Sequence, residues 1–248
     1  MEHQLVRTEM LIGAEGLARL RRARIAVFGL GGVGGFVVEA LARSGVGTLD
    51  LIDNDRVARS NLNRQILALH STLGQSKVEA AAARVRDIDP DITVNTYQTF
   101  YLPETRAQFD FKAFDYVVDC IDTVTGKIDL VLQCREAGTP IICALGTGNK
   151  LDPTRLEVAD LSETSVCPLA RIMRKELRRR GVEHVKVVYS KEEPIQPRFQ
   201  PEKEAAPTVG PEAYGNDRRS VPGSSAFVPP AAGLILASGV VRDLLDQQ

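Results

Sequence analysis

The sequence holds no tryptophan, and aromatics make up only 5% of it. A protein that binds nucleic acid by stacking bases on exposed rings has little to build with here. There are four cysteines, Cys120, Cys134, Cys143 and Cys167. No two form a C-x-x-C pair, so a four-thiolate zinc site has no support. Cys120 and Cys143 sit in apolar runs and read as small buried hydrophobes. Neither sign of charge is in excess: 31 Lys and Arg stand against 32 Asp and Glu, for a net charge of -1. That balance excludes nucleic-acid binding by bulk charge, though not through a local patch. Residues 1–24 are mixed polar and basic and lack the apolar core of a signal peptide. The one apolar run near the end, 226–245, is interrupted by Pro229, Pro230, Arg242 and Asp243. It falls short of the roughly 20 clean residues of a membrane span and reads as a docked or dimer-facing helix. With no secretory signal, the expected compartment is the reducing cytoplasm.

What is there is an alternation of apolar runs and helical patterns. At 248 residues the chain reads as a single domain, 1–248. Strands are expected at 25–28, 49–52, 92–97, 116–120 and 141–145, because these are short, apolar and β-branched. Helical spacing falls between them, at 33–43, 76–87 and 127–137. Ser76 with Glu79 suggests a capping box for the second, and Gly138 closes the third. Repeated β-then-α units imply a mostly parallel sheet with right-handed crossovers, a Rossmann-like α/β core over 24–150. A helical arm, 1–23, precedes it. The extension 151–248 adds strands at 156–159 and 185–189, a basic helix over 169–180 and a closing helix over 231–245. The stretch 192–222, rich in Pro, Glu, Gly and Arg, reads as a mobile loop.

Gly29-Leu30-Gly31-Gly32-Val33-Gly34 matches G-x-G-x-x-G directly after a buried strand and at the opening of a helix. That context points to a pyrophosphate held by main-chain N–H groups. Asp53 ends the next strand, where an acid commonly takes ribose hydroxyls. A nicotinamide dehydrogenase shares this opening, but the polar run 53–65 goes beyond what it needs. Asn63 and Arg64 suit a triphosphate, Arg64 through its planar fork of donors. Lys77 could add a point charge, and Asp122, after the strand 116–120, is placed to hold magnesium. Taken singly, Asp122 could cap a helix, Lys77 could be solvated, and Arg64 could be a surface ion-pair partner.

Together, Gly29 to Gly34, Asp53-Asn54-Asp55, Ser60-Asn61-Leu62-Asn63-Arg64-Gln65, Lys77 and Asp122 resemble the ubiquitin-activating-enzyme-like superfamily, the group of ThiF, MoeB and HesA. The resemblance implies its adenylation fold, and the binding of ATP with Mg2+ to adenylate a carboxylate. It implies that Gly29, Gly31, Gly32, Gly34, Asp53, Asp55, Ser60, Asn61, Asn63, Arg64, Gln65, Lys77 and Asp122 form the ATP site. Arg64, Lys77 and Asp122 would act on the reacting phosphates, with Asp122 on the metal. Arg7 from a second copy would complete the site of a homodimer, with Arg21, Arg22 and Arg24 as nearby alternatives. Within the superfamily the chain looks most like the tRNA threonylcarbamoyladenosine dehydratases. The similar stretches are 7–13, 39–47, 63–69, 152–155 and 224–229. Sulfur-carrier activators usually carry two C-x-x-C pairs and a cysteine in a crossover loop, and this sequence has neither. Cys167-Pro168 departs from the expected Asp-Pro and leaves Cys167 without a role.

The dehydratase resemblance implies an ATP-dependent cyclase of the ligase class, acting on tRNA that bears threonylcarbamoyladenosine. A structural monovalent cation and partners from a cysteine-desulfurase system are further expectations. Arg171, Arg174, Lys175 and Arg178 share roughly one helix face, and Arg179 and Arg180 follow. The family reading makes this a tRNA phosphate contact, with Lys186, Arg218 and Arg219 as additions. The alternative is a solvated helix end whose cations complement the helix dipole. Three rival functions remain at this stage: a sulfur-carrier adenylyltransferase, a nicotinamide-dependent oxidoreductase and a non-catalytic nucleotide-binding scaffold.

Overall fold

The structure is a computed structural model that describes residues 3–199 and 222–246. Helix α1 (Val6–Arg22) leads into β1 (Arg24–Phe28), α2 (Gly34–Arg43), β2 (Thr48–Ile52), α3 (Lys77–Ile88) and β3 (Thr93–Tyr97). Then come β4 (Tyr116–Asp119), α4 (Val124–Ala137), β5 (Ile141–Ala144), β6 (Leu156–Asp160), α5 (Pro168–Arg178), β7 (Lys186–Ser190) and α6 (Val228–Asp246). One seven-stranded sheet runs in the order β3-β2-β1-β4-β5-β7-β6. All neighbours are parallel except β6, which pairs antiparallel with β7. This is the α/β, mostly parallel architecture expected from the alternation of apolar runs, and β6 and β7 extend the same sheet.

The central strands are buried on both faces, which is why they read as continuous apolar runs. In β1, Ile25 and Val27 enter one core with Val37, Leu41, Leu51, Val85 and Leu236. Ala26 and Phe28 point the other way, into a cluster with Tyr101, Phe109, Phe111 and Leu130. A third cluster joins Cys143, Val187 and Tyr189 to Ala170, Met173 and Leu177 of α5. Helix α6 is long and apolar enough, by length and composition, to cross a membrane. Instead its Val228, Ala232, Leu236 and Val240 are fully buried in the protein core. It begins earlier than the spacing suggested, because Pro229 and Pro230 occupy its first turn, where no N–H is needed.

Two expectations need correction or limitation. Ser76 stands at the N-cap of α3, but its side chain makes no cap hydrogen bond, and its Oγ has no partner among the described residues. Its backbone is drawn into a bridge with Arg56 instead, and Glu79 accepts from the Thr96 hydroxyl. The loop expected over 192–222 lies largely outside the described residues. Its first part, 192–199, has no regular structure but is tied down: Glu192 accepts from the N–H groups of Leu151 and Asp152.

Candidate active site at the carboxyl edge of the sheet

Strand order reverses at β1, which has β2 on one side and β4 on the other. The crevice outside the carboxyl ends of such strands is where open α/β sheets bind ligands. A cavity of about 390 Å³ lies there. It is lined by Gly29, Gly31, Gly32 and Val33 after β1, and by Asp53, Asn54, Asp55, Asn61, Arg64, Gln65 and Lys77 after β2. Thr99, Phe100 and Tyr101 line it after β3, and Cys120, Ile121, Asp122 and Thr123 after β4. Thus most of the sequence-predicted residues converge. Gly34, Ser60 and Asn63 do not line the cavity; each acts one step behind it.

The glycine loop has its shape for steric reasons. Gly29 has φ +88, and a Cβ there would fall 2.8 Å from the Cys120 carbonyl. A Cβ on Gly34 would lie 1.8 Å from the Gly29 oxygen, so only glycine lets α2 start this close to the loop. Asp53 holds the loop to its neighbour. Its carboxylate accepts from the Leu30 N–H at 2.6 Å and from the Asp55 N–H at 2.8 Å. Burial pushes the Asp53 carboxyl up, with Lys77 and the two N–H donors opposing.

The cations are settled by the fold. Lys77 is not solvated: its side chain is 5% exposed, and Nζ lies 2.7 Å from Asp55 and 3.9 Å from Asp53. Arg64 has no ion-pair partner among the described residues. It donates to the Ser60 carbonyl at 3.0 Å and to Asn63 Oδ1 at 2.8 Å, two neutral acceptors. Burial lowers its pKa, and a guanidinium stays charged even so. Asp122 is exposed, and it is not the cap of α4, whose N-cap position is Thr123. Two buried oxygens of cavity-lining residues, Gln65 Oε1 and Thr123 Oγ1, have no partner among the described residues.

Sequence reasoning missed a buried ion pair under this site. Lys127 Nζ donates to both oxygens of Asp119 at 3.0 Å and to the Ala144 carbonyl at 2.8 Å. It ties the end of β4 to the end of β5. Asp119 Oδ1 also accepts from the Ile121 N–H, shaping the turn that carries Asp122. Residues 99–101 were missed as well, since only the position of β3 beside β2 brings them to the crevice. Cys120 is the one thiol among the described lining residues, and burial pushes its pKa well up. A protonated thiol is a poor nucleophile.

The basic helix is only partly what its spacing suggested. Arg171, Lys175 and Arg178 face outward and, with Arg174 and Arg179, line a shallow groove. The Arg174 guanidinium, however, turns inward to the carbonyls of Leu161 and Thr164 and to the Thr164 hydroxyl. Arg179 and Arg180 both pair with Glu176. Lys186 is half-buried on Asp243 of α6, away from this face. Arg218 and Arg219 lie outside the described residues. Arg7 is exposed on α1 and does not line the cavity of its own chain. Cys167 acquires a role: its Sγ accepts from the Ala170 N–H as the N-cap of α5, the place where Asp was expected.

Comparison with known proteins follows the same lines. The ThiF family matches residues 5–245. The tRNA threonylcarbamoyladenosine dehydratase of Bacillus subtilis is 45% identical over 252 residues, covering 99% of this chain and 96% of that protein. The crystal structure of E. coli tRNA N6-threonylcarbamoyladenosine dehydratase, TcdA, in complex with ATP superposes with a TM-score of 0.84 at 32% identity. That alignment covers 98% of this chain and 93% of that one. The adenylyltransferase and sulfurtransferase UBA4 of Vanderwaltozyma polyspora is 36% identical over 138 residues, which covers 56% of this chain and 31% of that protein.

Proposed function

The chain belongs to the ThiF family, and from that premise we propose that it is an ATP-dependent tRNA threonylcarbamoyladenosine dehydratase. The observation that carries this reading is the reach of the similarity. The dehydratase match runs over 99% of the chain, whereas the UBA4 match covers 56%. The C-terminal extension, with β6, α5, β7 and α6, lies within the dehydratase match.

In this reading, ATP lies along the glycine loop with its phosphates toward Arg64 and Lys77. The carboxylate of the threonylcarbamoyl group attacks the α-phosphorus, and the bond to pyrophosphate breaks. Arg64 and Lys77 stabilise the charge that develops on the phosphate oxygens. Lys77 is held by Asp55 until phosphate competes for it. The ureido nitrogen then attacks the activated carbonyl, loses its proton and expels AMP. One carboxylate oxygen leaves with AMP, so the nucleoside closes a ring and loses one water. Nucleophile and electrophile belong to one substrate, so orientation replaces an enzyme nucleophile. This agrees with the raised pKa of the Cys120 thiol.

Magnesium fits the residues present. Among the described residues no cluster of three or more His, Cys, Asp or Glu could hold a metal. Asp53 and Asp55 already hold N–H groups and Lys77, while Asp122 presents a carboxylate to the cavity. One carboxylate plus substrate phosphates is a usual Mg2+ set. When bound, the ion would supply charge stabilisation at the phosphates. A homodimer belongs to the same reading, with Arg7 of the second copy reaching the site.

The test is direct. The protein is incubated with ATP, Mg2+ and tRNA bearing threonylcarbamoyladenosine, and the nucleosides are weighed after gentle digestion. Loss of one water with equimolar AMP is expected. ATP binding with no mass change would refute the reading. Pyrophosphate exchange that requires a small protein ending in Gly-Gly would favour the sulfur-carrier alternative.

A further inference from the structure

We infer that Asn149 is a positioning residue for the nucleotide site, acting through Asn63 on Arg64. It rests on the proposal that Arg64 faces the phosphates of ATP. Asn149 has φ 59, one of two described non-glycine residues with positive φ. Asparagine reaches this conformation at lower cost than most side chains. In it, the residue gathers two other segments. Its N–H donates to the Gly223 carbonyl at 2.7 Å, and its Oδ1 accepts from the Gly223 N–H at 2.6 Å. Its carbonyl accepts from the Ile195 N–H at 2.7 Å.

The two-way bond fixes Gly223, and the next residue carries the effect to the site. The Ser224 carbonyl accepts from Asn63 Nδ2 at 3.0 Å. A carbonyl can take only the donor end of a carboxamide, so the acceptor end of Asn63 is left pointing the other way. There it accepts from Arg64 Nη1 at 2.8 Å. Arg64 is thus aimed by neutral groups, and its whole charge remains available to the cavity it lines. A Cβ on Gly32 would meet Arg64 Cγ and Pro229 Cβ, each at 3.3 Å, so the Arg64 stem and the start of α6 both lie against the glycine loop. Moving Gly223 would shift the adjacent carbonyl that orients Asn63.

The experiment uses the full chain, with direct Mg-ATP binding, kcat and KM for ATP with modified tRNA, and thermal melting. Asn149→Gly keeps the backbone conformation and deletes the acceptor. Asn149→Asp keeps both. Asn149→Gly is expected to lower kcat/KM for ATP about tenfold, the size of one lost orienting hydrogen bond, with Asn149→Asp close to wild type. Asn63→Ala is expected to lose a similar factor. The double variant Asn149→Gly/Asn63→Ala should be no worse than the poorer single one, because both break one relay. A purely structural Asn149 would lower the melting temperature while its effect on kcat/KM multiplied with that of Asn63→Ala. That multiplication, or an unaltered Asn149→Gly, or failure of Asn149→Asp to rescue, would overturn the inference alone. Wild-type protein that binds no ATP would overturn it together with the functional reading.

Discussion

Replacing Lys127 with methionine keeps most of the aliphatic stem and removes one charge from an ion pair that water does not reach. The Lys127 side chain is 1% exposed and that of Asp119 0%. Both carboxylate oxygens lose their ammonium donor, and the Ala144 carbonyl loses its bond as well. What is left on Asp119 is the Cys143 thiol and the Ile121 N–H. Removing one partner of a buried pair costs about 3–5 kcal/mol, mostly the penalty of the stranded charge. For a chain of this size that is a fall in Tm on the order of 10 °C. The penalty should depend on pH. Burial pushes the Asp119 carboxyl up, and in the variant no ammonium opposes it. A folded-state pKa above the unfolded value of about 3.9 means the folded variant holds its proton where the unfolded chain has released it. The deficit against wild type is therefore smallest near pH 4 and grows as pH rises toward the raised folded pKa. Thermal melts followed by circular dichroism between pH 4 and 8 read this out. A second variant, Lys127→Met/Asp119→Leu, removes both charges and should recover much of the loss. A deficit that does not vary with pH, or a double variant no more stable than the single one, would refute the stranded-charge reasoning.

Three further outcomes follow from the same geometry. Arg64→Ala and Lys77→Ala should each lower the rate of AMP formation by about 10²–10³-fold, as loss of a preorganised charge does, and an effect below threefold would remove that residue from the phosphates. Arg171→Glu/Lys175→Glu should weaken tRNA binding and reduce the slope of log K against log salt by about 2, whereas Arg174→Gln should lower Tm and leave the slope alone; equal effects on binding would refute the inward reading of Arg174. Glu39 accepts from Arg84 at 2.6 Å and Arg43 at 2.7 Å, and although burial raises its pKa, the two guanidiniums outweigh it and the net shift is down. Its contribution is then present above the unfolded value of about 4.3 and lost as pH falls through the lower folded value, so Glu39→Gln should cost about 1 kcal/mol at pH 7 and almost nothing near pH 3 in denaturant titrations.

The parts of the molecule legible in the sequence are those whose signal is local. Residues 25–34 announce strand, turn and helix within ten positions, and both strand burial and glycine spacing follow from immediate neighbours. The ends of strands are less legible. Thr99, Phe100 and Tyr101 line the cavity only because β3 lies beside β2, a pairing across about 45 residues. Lys127 reads as one more cation on a helix until β4 and β5 place Asp119 and Ala144 against it. Ser76 has the composition of a cap, but a non-local bridge to Arg56 claims its backbone. Arg174 shows the limit of face counting. It lies four residues after Ala170 and three before Leu177, so it flanks the buried stripe, where a long side chain can reach back to the Leu161–Glu163 turn.

Cys120 lines the cavity within reach of whatever binds there, yet its surroundings keep the thiol protonated. Cys134 and Cys143 are buried and likewise shifted up, and Cys167 is engaged as a helix cap. Cys120, Cys134 and Cys143 are thus all shifted away from the thiolate, the form that attacks an acyl adenylate. An adenylating site with cations but no thiolate passes its activated carbonyl to a nucleophile brought from outside the enzyme. An intramolecular nitrogen meets that condition without a second binding event. The net charge of -1 then ceases to argue against tRNA. On the proposed reading the cavity cations serve the phosphates of ATP, and tRNA needs cations only where its backbone lies. The outward Arg171, Lys175 and Arg178 are proposed as that row, on a helix whose N-cap Cys167 lies against Gly146 just past the end of β5.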